Sequence, residues 1–382
     1  MDPQERVIPF HYPHATSKES QYVSEVIRSG LVSGDGKFSK LAQGILKTRT
    51  GSHGVLLTHS CTAALEMSAL LCELEPGDEV IMPSYTFVST ANAFVLVGAV
   101  PVFVDVRADT LNIDESKIEE AITPKTKAIC VVHYGGVGCE MDKILEIARR
   151  HDLWVIEDAA QGVQATYKGK ALGAIGDFGT YSFHQSKNIT SGEGGAILIQ
   201  DPTLFKRAEI IREKGTDRSL FLRGEVDKYC WRDVGSSYLP SDLIAAYLVA
   251  QLEEAEKITA ARMAVWETYR NHLAIYIQNG VAQTQVIPNE CQHNAHLFCL
   301  VFRTETQANG FLSYLRENRI QGVRHYVPLH SSPAGLIHGR AHGELPVTDH
   351  IGKCLVRLPL WTGLIDRSHE VAETVARYLK NI

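Results

Sequence analysis

Seven short apolar runs, most of them separated by a stretch that reads as a helix, constrain the fold of this chain more than any other feature. They fall at 54–58, 79–84, 100–106, 128–134, 154–159, 178–184 and 194–199, and turn-forming or charged residues bound them. The segments 62–74, 86–97, 115–122 and 142–150 lie between the first five and read as helices. That alternation predicts an α/β fold, a seven-stranded and mainly parallel sheet with helices on both faces. Ligands of such sheets gather beyond the carboxyl ends of the strands, so chemistry is expected in the loops there. The last two runs have no helix between them, which marks a sharp functional loop.

After a helix at 202–214, the charged stretch 215–231 reads as a long surface loop. From 241 to about 276 runs one helical pattern rich in Ala, Leu and Glu, kinked or broken, and the change of domain is placed within it. Strands near 296–302 and 322–326 and helices near 306–317 and 368–378 then form a small α+β domain. The expected division is an N-terminal arm at 1–20, a large domain at 21–250 and a small C-terminal domain at 251–382.

A chain of 382 residues exceeds what one compact core usually holds, in keeping with two domains and a cleft between them. Charged residues make up 21% and the formal charge is -6, so no basic excess suits a nucleic-acid partner. The uncharged run 87–104 is nominally long enough to cross a bilayer, but Asn92, Gly98 and Pro101 punctuate it, and a membrane partner is not expected. Residues 1–16 carry Asp2, Glu5 and Arg6 without an apolar core of signal length, so a cytoplasmic location is expected. The eight cysteines contain no C-x-x-C pair and read as reduced packing residues. His293 and His296 stand three apart without a carboxylate pattern beside them, and no metal site is expected.

Three segments carry chemistry. Thr58-His59-Ser60-Cys61-Thr62-Ala63-Ala64-Leu65 joins a strand to a helix and puts small residues where free backbone N–H groups point outward, a geometry that binds phosphate. The same residues also suit an ordinary helix cap. Asp158 ends the apolar run Trp154-Val155-Ile156-Glu157, where a carboxylate can hold a ring nitrogen protonated or simply cap a helix. Lys187 lies between a strand and the glycine-rich turn Gly192-Glu193-Gly194-Gly195, which has neither Walker nor G-x-G-x-x-G spacing. Alone it would be a surface charge. A phosphate turn, a strand-end Asp and a loop Lys in that order on one sheet point instead to a pyridine cofactor.

These residues, with Pro83-Ser84-Tyr85-Thr86-Phe87, Ala159-Ala160-Gln161 and His325-Tyr326-Val327-Pro328-Leu329-His330, make the chain resemble the DegT/DnrJ/EryC1/StrS family of sugar aminotransferases over nearly its whole length. The resemblance implies a fold-type-I architecture, pyridoxal 5'-phosphate as cofactor, and a homodimer with active sites at the subunit interface. Lys187 would be the Schiff-base lysine and Asp158 the partner of the pyridine nitrogen. Gln161 would contact the ring hydroxyl, Phe87 would stack on the ring, and Cys61, Thr62 and Ser182 would bind the phosphate. Phe87 equally suits a core position. Many members carry an Asn-Tyr-Arg sequence whose Asn reaches the neighbouring subunit's phosphate. This chain reads Ser236-Ser237-Tyr238-Leu239 there, which puts that contact in doubt.

Gly235-Ser236-Ser237-Tyr238-Leu239, together with the sequence from Tyr85 to Phe94, resembles the branch that makes dTDP-4-amino-4,6-dideoxygalactose from dTDP-4-dehydro-6-deoxyglucose, with L-glutamate the usual donor. Two rival readings remain. A sugar dehydratase of the same fold would replace the Schiff-base lysine with histidine, whereas Lys187 stands there, with His184 three residues earlier. A non-catalytic sugar-nucleotide sensor on the same fold is the other.

Overall fold

The computed structural model describes residues 7–382, so the expectations placed on residues 1–6 lie outside it. The seven apolar runs form strands Gly54–Thr58, Glu79–Pro83, Val100–Val104, Thr126–Val132, Trp154–Asp158, Phe178–Ser182 and Gly195–Ile199. They lie in one sheet whose order is 54–58, 195–199, 178–182, 154–158, 126–132, 79–83, 100–104. Only the 195–199 strand runs antiparallel to its neighbours. An eighth strand, Arg340–Ala341, adds to the free edge beside Val100–Val104. It corrects the expected count of seven. Two residues carry no periodic signal, and what places them is the Arg340 guanidinium, whose Nε and Nη2 donate to the Glu79 carboxylate at 2.8 and 2.9 Å.

Side chains alternate between two cores, as a doubly covered sheet requires. Ile81, Ile129 and Val155 pack with Phe38, Ile144 and Leu248 on one face. Val80, Cys130 and Ile156 pack with Leu65, Phe94 and Ile211 on the other. A third core gathers Tyr269 and Leu273 of helix Ala255–Gln278 with Phe298, Phe311 and Val375, and takes in Ile8. Residues 8–14 lie against this C-terminal part. The Ile8 N–H donates to the Arg319 carbonyl at 2.9 Å, the Trp361 indole N–H to the Pro9 carbonyl at 3.1 Å, and His14 Nδ1 lies 3.1 Å from the Thr362 hydroxyl.

Some expected elements differ. The helix expected at 86–97 begins only at Val88, because Phe87 is extended at φ −72°, ψ 150°. The run from 241 breaks at Glu254 into Asp242–Glu253 and Ala255–Gln278. The 215–231 loop contains a short helix, Arg218–Leu222. The strand expected at 322–326 shrinks to one bridge between Val323 and Arg357, because the side chains of His325 and Tyr326 are drawn to Tyr134 and Gln161.

Candidate active site

All seven residues singled out from the sequence, Cys61, Thr62, Phe87, Asp158, Gln161, Ser182 and Lys187, line one cavity of about 520 Å³ beyond the strand ends. Its size suits a cofactor with part of a substrate. Its floor is the start of helix Cys61–Leu71. The Ser60 hydroxyl accepts from the Ala63 N–H at 3.1 Å, while the first-turn N–H groups before it have no intrahelical acceptor. The Thr62 hydroxyl lies 2.7 Å from that of Ser89. The helix can come this close to the sheet only because residue 195 is glycine, where a Cβ would stand 2.5 Å from the Cys61 nitrogen.

Asp158, 6% exposed, is fixed from two sides. Its Oδ2 accepts from the Thr90 hydroxyl at 2.6 Å and its Oδ1 from the Ala160 N–H at 3.1 Å. Thr90 is itself paired with Thr86 at 2.7 Å. A carboxylate with two oxygens keeps lone pairs to spare for an N–H in the cavity. Neighbouring Glu157 points to the other side of the strand, fully buried. It accepts from Gly173, Ile175 and Gly176 N–H groups at 2.7–2.8 Å and lies 2.8 Å from His133 Nε2.

Gln161 has its amide oriented by neighbours. Its Oε1 accepts from the Gly135 N–H at 2.7 Å, and its Nε2 donates to the Tyr326 hydroxyl at 2.8 Å, which leaves the second Nε2 proton for a ligand oxygen. Tyr326 stacks on His325 at 3.7 Å and is 6.3 Å from Phe87. Phe87 is 56% exposed with its ring at the cavity, so the core alternative does not hold.

Lys187 sits on the turn between the 178–182 and 195–199 strands. Phe183 and Gln185 N–H groups donate to Gly194 and Gly192 carbonyls at 2.8 and 2.7 Å, and the Ser191 N–H to the Phe183 carbonyl at 2.8 Å. The turn therefore continues the hairpin, and His11 Nε2 braces it at 2.7 Å from the Gln185 carbonyl. Burial lowers the Lys187 pKa, more than the Asp158 charge raises it, and Arg357 lowers it further. Burial and the Asp158 charge push the Cys61 thiol up, so it stays protonated.

The donor set fits pyridoxal phosphate: free N–H groups and hydroxyls for a phosphate, an anchored carboxylate for a ring nitrogen, an amide proton for a ring oxygen, and an amine with a lowered pKa. Sequence reasoning missed Ser89, Thr90, Tyr326 as a partner of Gln161, and Arg357. His293 and His296 part company, one against the Trp266 ring at 4.4 Å and the other 3.0 Å from the Asn188 side-chain oxygen.

The family model for DegT/DnrJ/EryC1/StrS aminotransferases matches residues 13–376. The chain belongs to this family. Its members are pyridoxal-phosphate-dependent aminotransferases, and the observed sheet is that of fold type I. Among curated relatives, the spore coat polysaccharide biosynthesis protein SpsC of Bacillus subtilis is 31% identical, covering 98% of this chain and 97% of its own. GDP-perosamine synthase of Escherichia coli O157:H7 is 30% identical over 94% of both chains. Among solved structures, the aminotransferase TlmJ from Streptoalloteichus hindustanus superposes with a TM-score of 0.89 at 28% identity, covering 98% of this chain and 99% of that one. The PMP form of the sugar aminotransferase Spr1654 from Streptococcus pneumoniae gives 0.90 at 26%, with the same coverage. The protein is thus an aminotransferase of this family, and amination of a nucleotide-linked sugar is supported by these relatives. No helix among the described residues is long and apolar enough to cross a membrane.

Proposed function

We propose that this aminotransferase moves an amino group from L-glutamate to dTDP-4-dehydro-6-deoxy-D-glucose, giving dTDP-4-amino-4,6-dideoxy-D-galactose. The observation that carries the chemistry is the meeting of Lys187 and the anchored Asp158 at one cavity. When bound, pyridoxal phosphate supplies an electron sink for the carbon that loses or gains a proton. Lys187 is the group that carries it covalently and, once released, moves the proton at that carbon. A lowered pKa leaves more of its amine neutral and able to act as nucleophile and base. Asp158 holds the ring nitrogen protonated, and the Thr90 and Ala160 bonds keep it aimed. Phe87 and Tyr326 shield the reacting face from water. Cys61, Thr62 and Ser182, with Ser89 behind Thr62, hold the phosphate.

The choice of sugar rests on the segments 85–94 and 235–239. The GDP-perosamine synthases among the relatives favour a second reading, a GDP-linked keto sugar. Incubating the holoenzyme with L-glutamate and either dTDP- or GDP-linked 4-keto-6-deoxy sugar, with NMR of the product, separates the two. Turnover of the GDP sugar alone overturns the first. The NMR couplings at C4 also tell an axial from an equatorial amine.

The same proposal includes a symmetric homodimer and a cytoplasmic site of action. Trp231 is 80% exposed, and Leu222, Tyr229 and Val234 are exposed in the same segment, apolar groups that a second subunit would cover. Ser237 is exposed and does not line its own chain's cavity, consistent with a reach toward a second subunit's phosphate site.

A further inference from the structure

Lys187 is the last residue of a β-turn. Its N–H donates to the His184 carbonyl at 2.9 Å, which leaves Gln185 and Ser186 as the central pair. The peptide joining that pair carries the Gln185 carbonyl and the Ser186 N–H, and type I and type II turns differ in the way this one peptide faces. Each of its polar groups is held by a histidine ring. The Ser186 N–H donates to His184 Nδ1 at 3.2 Å, and His11 Nε2 lies 2.7 Å from the Gln185 carbonyl. A carbonyl only accepts, so His11 Nε2 carries the proton.

The two rings differ in origin. His184 belongs to the turn itself, and its Nε2 faces the Glu193 carboxylate at 3.7 Å. His11 reaches the turn from 174 positions earlier in the chain and is anchored on both sides. The Phe10 N–H donates to the Gln321 side-chain oxygen at 3.0 Å, the Phe10 ring centre lies 4.7 Å from the Arg357 guanidinium, and the His14 carbonyl accepts from Gln251 Nε2 at 2.9 Å. His11 and Lys187 line the same cavity. Stability does not require the His11 bond, because Gln185 is exposed and water would satisfy its carbonyl as well. What water cannot supply is direction. The geometry points to His11 as a positioning residue for Lys187: by fixing the central peptide of the turn, it sets the direction from which the lysine amine meets the aldehyde carbon of pyridoxal phosphate. This rests on Lys187 as the attachment lysine, not on the identity of the sugar.

Cofactor-free enzyme separates attachment from turnover and provides the test. Pyridoxal phosphate is added to wild type, His11→Leu and His11→Gln. Imine formation is followed by stopped-flow absorbance, and borohydride trapping with peptide mass spectrometry shows which lysine has reacted. Pyridoxamine phosphate has no aldehyde, so its Kd reports whether the cavity is intact. His11→Leu should slow imine formation by about 3- to 10-fold, the share of one hydrogen bond in holding a near-attack geometry. Its Kd for pyridoxamine phosphate should stay within about twofold of wild type, since the phosphate turn and Asp158 are untouched. His11→Gln, whose side-chain amide N–H can stand where Nε2 stood, should recover most of the rate. An unchanged rate in His11→Leu, an equal loss in His11→Gln, or a parallel weakening of pyridoxamine phosphate binding overturns the assignment. Trapping of wild type at a lysine other than Lys187 overturns the attachment reading itself, and this role with it.

Discussion

At the scale of single residues, Lys187 unites two jobs, covalent attachment and proton transfer. Lys187→Ala should therefore lose at least the roughly 10²- to 10⁴-fold that a positioned acid/base contributes, while still binding cofactor through the phosphate turn and Asp158. Borohydride treatment of wild type followed by peptide mass spectrometry should place the reduced cofactor on the Lys187 peptide; attachment at Lys168 or Lys170 would refute the assignment. The lowered pKa has a second consequence. A lysine that holds its proton less tightly folded than unfolded costs stability as pH falls from about 10.5 toward its lowered value, and the full cost applies below that. Cofactor-free Lys187→Met should then melt above cofactor-free wild type near pH 7, and the gap should close above about pH 10.5. Asp158→Asn should slow both half-reactions about 10²-fold. Thr90→Val, which removes one of its two anchors, should cost roughly tenfold in kcat with little change in cofactor content; stopped-flow absorbance reads both. Asp158, Gln161 and Lys187 were legible because each stands in a short motif at a strand end. Thr90 was not, since its partner is 68 positions away and an isolated threonine in a helix carries no signal.

At the scale of elements, the strands were legible because doubly covered parallel strands must be apolar throughout and must stop at polar turns. Arg340–Ala341 escaped because an edge strand of two residues is placed by an ion pair rather than by pattern. The stretch 322–326 misled because apolar and aromatic residues recruited to a ligand cavity look like those of a strand. Glu157 is the hinge pin between strand and site: its buried carboxylate ties the 173–176 turn and His133 to the strand that ends in Asp158. Glu157→Ala would strand three N–H groups and a histidine, and should destabilise the protein by about 3–5 kcal/mol. A thermal melt checks this, and Glu157→Gln, which retains an acceptor, should recover part of the loss.

At the scale of the whole molecule, the exposed aromatic segment around Trp231 predicts the oligomeric state. Light scattering should give a dimer, and Trp231→Glu should shift it toward monomer with loss of bound cofactor; a monomer with full activity would remove the idea. The docking of residues 8–14 matters in another way, through time. Their partners at 319–321, 357 and 361–362 are more than 300 positions later in the chain. At roughly 5–20 residues per second, a ribosome needs on the order of 20 to 70 s to deliver them. Throughout that interval the sheet, the phosphate turn and the Lys187 hairpin can form and His11 can meet the Gln185 carbonyl, while Phe10 has nothing complete to close against. Cavity closure thus waits on the C-terminal part, and a nascent chain halted before residue 319 should carry the catalytic lysine in a site still open to water.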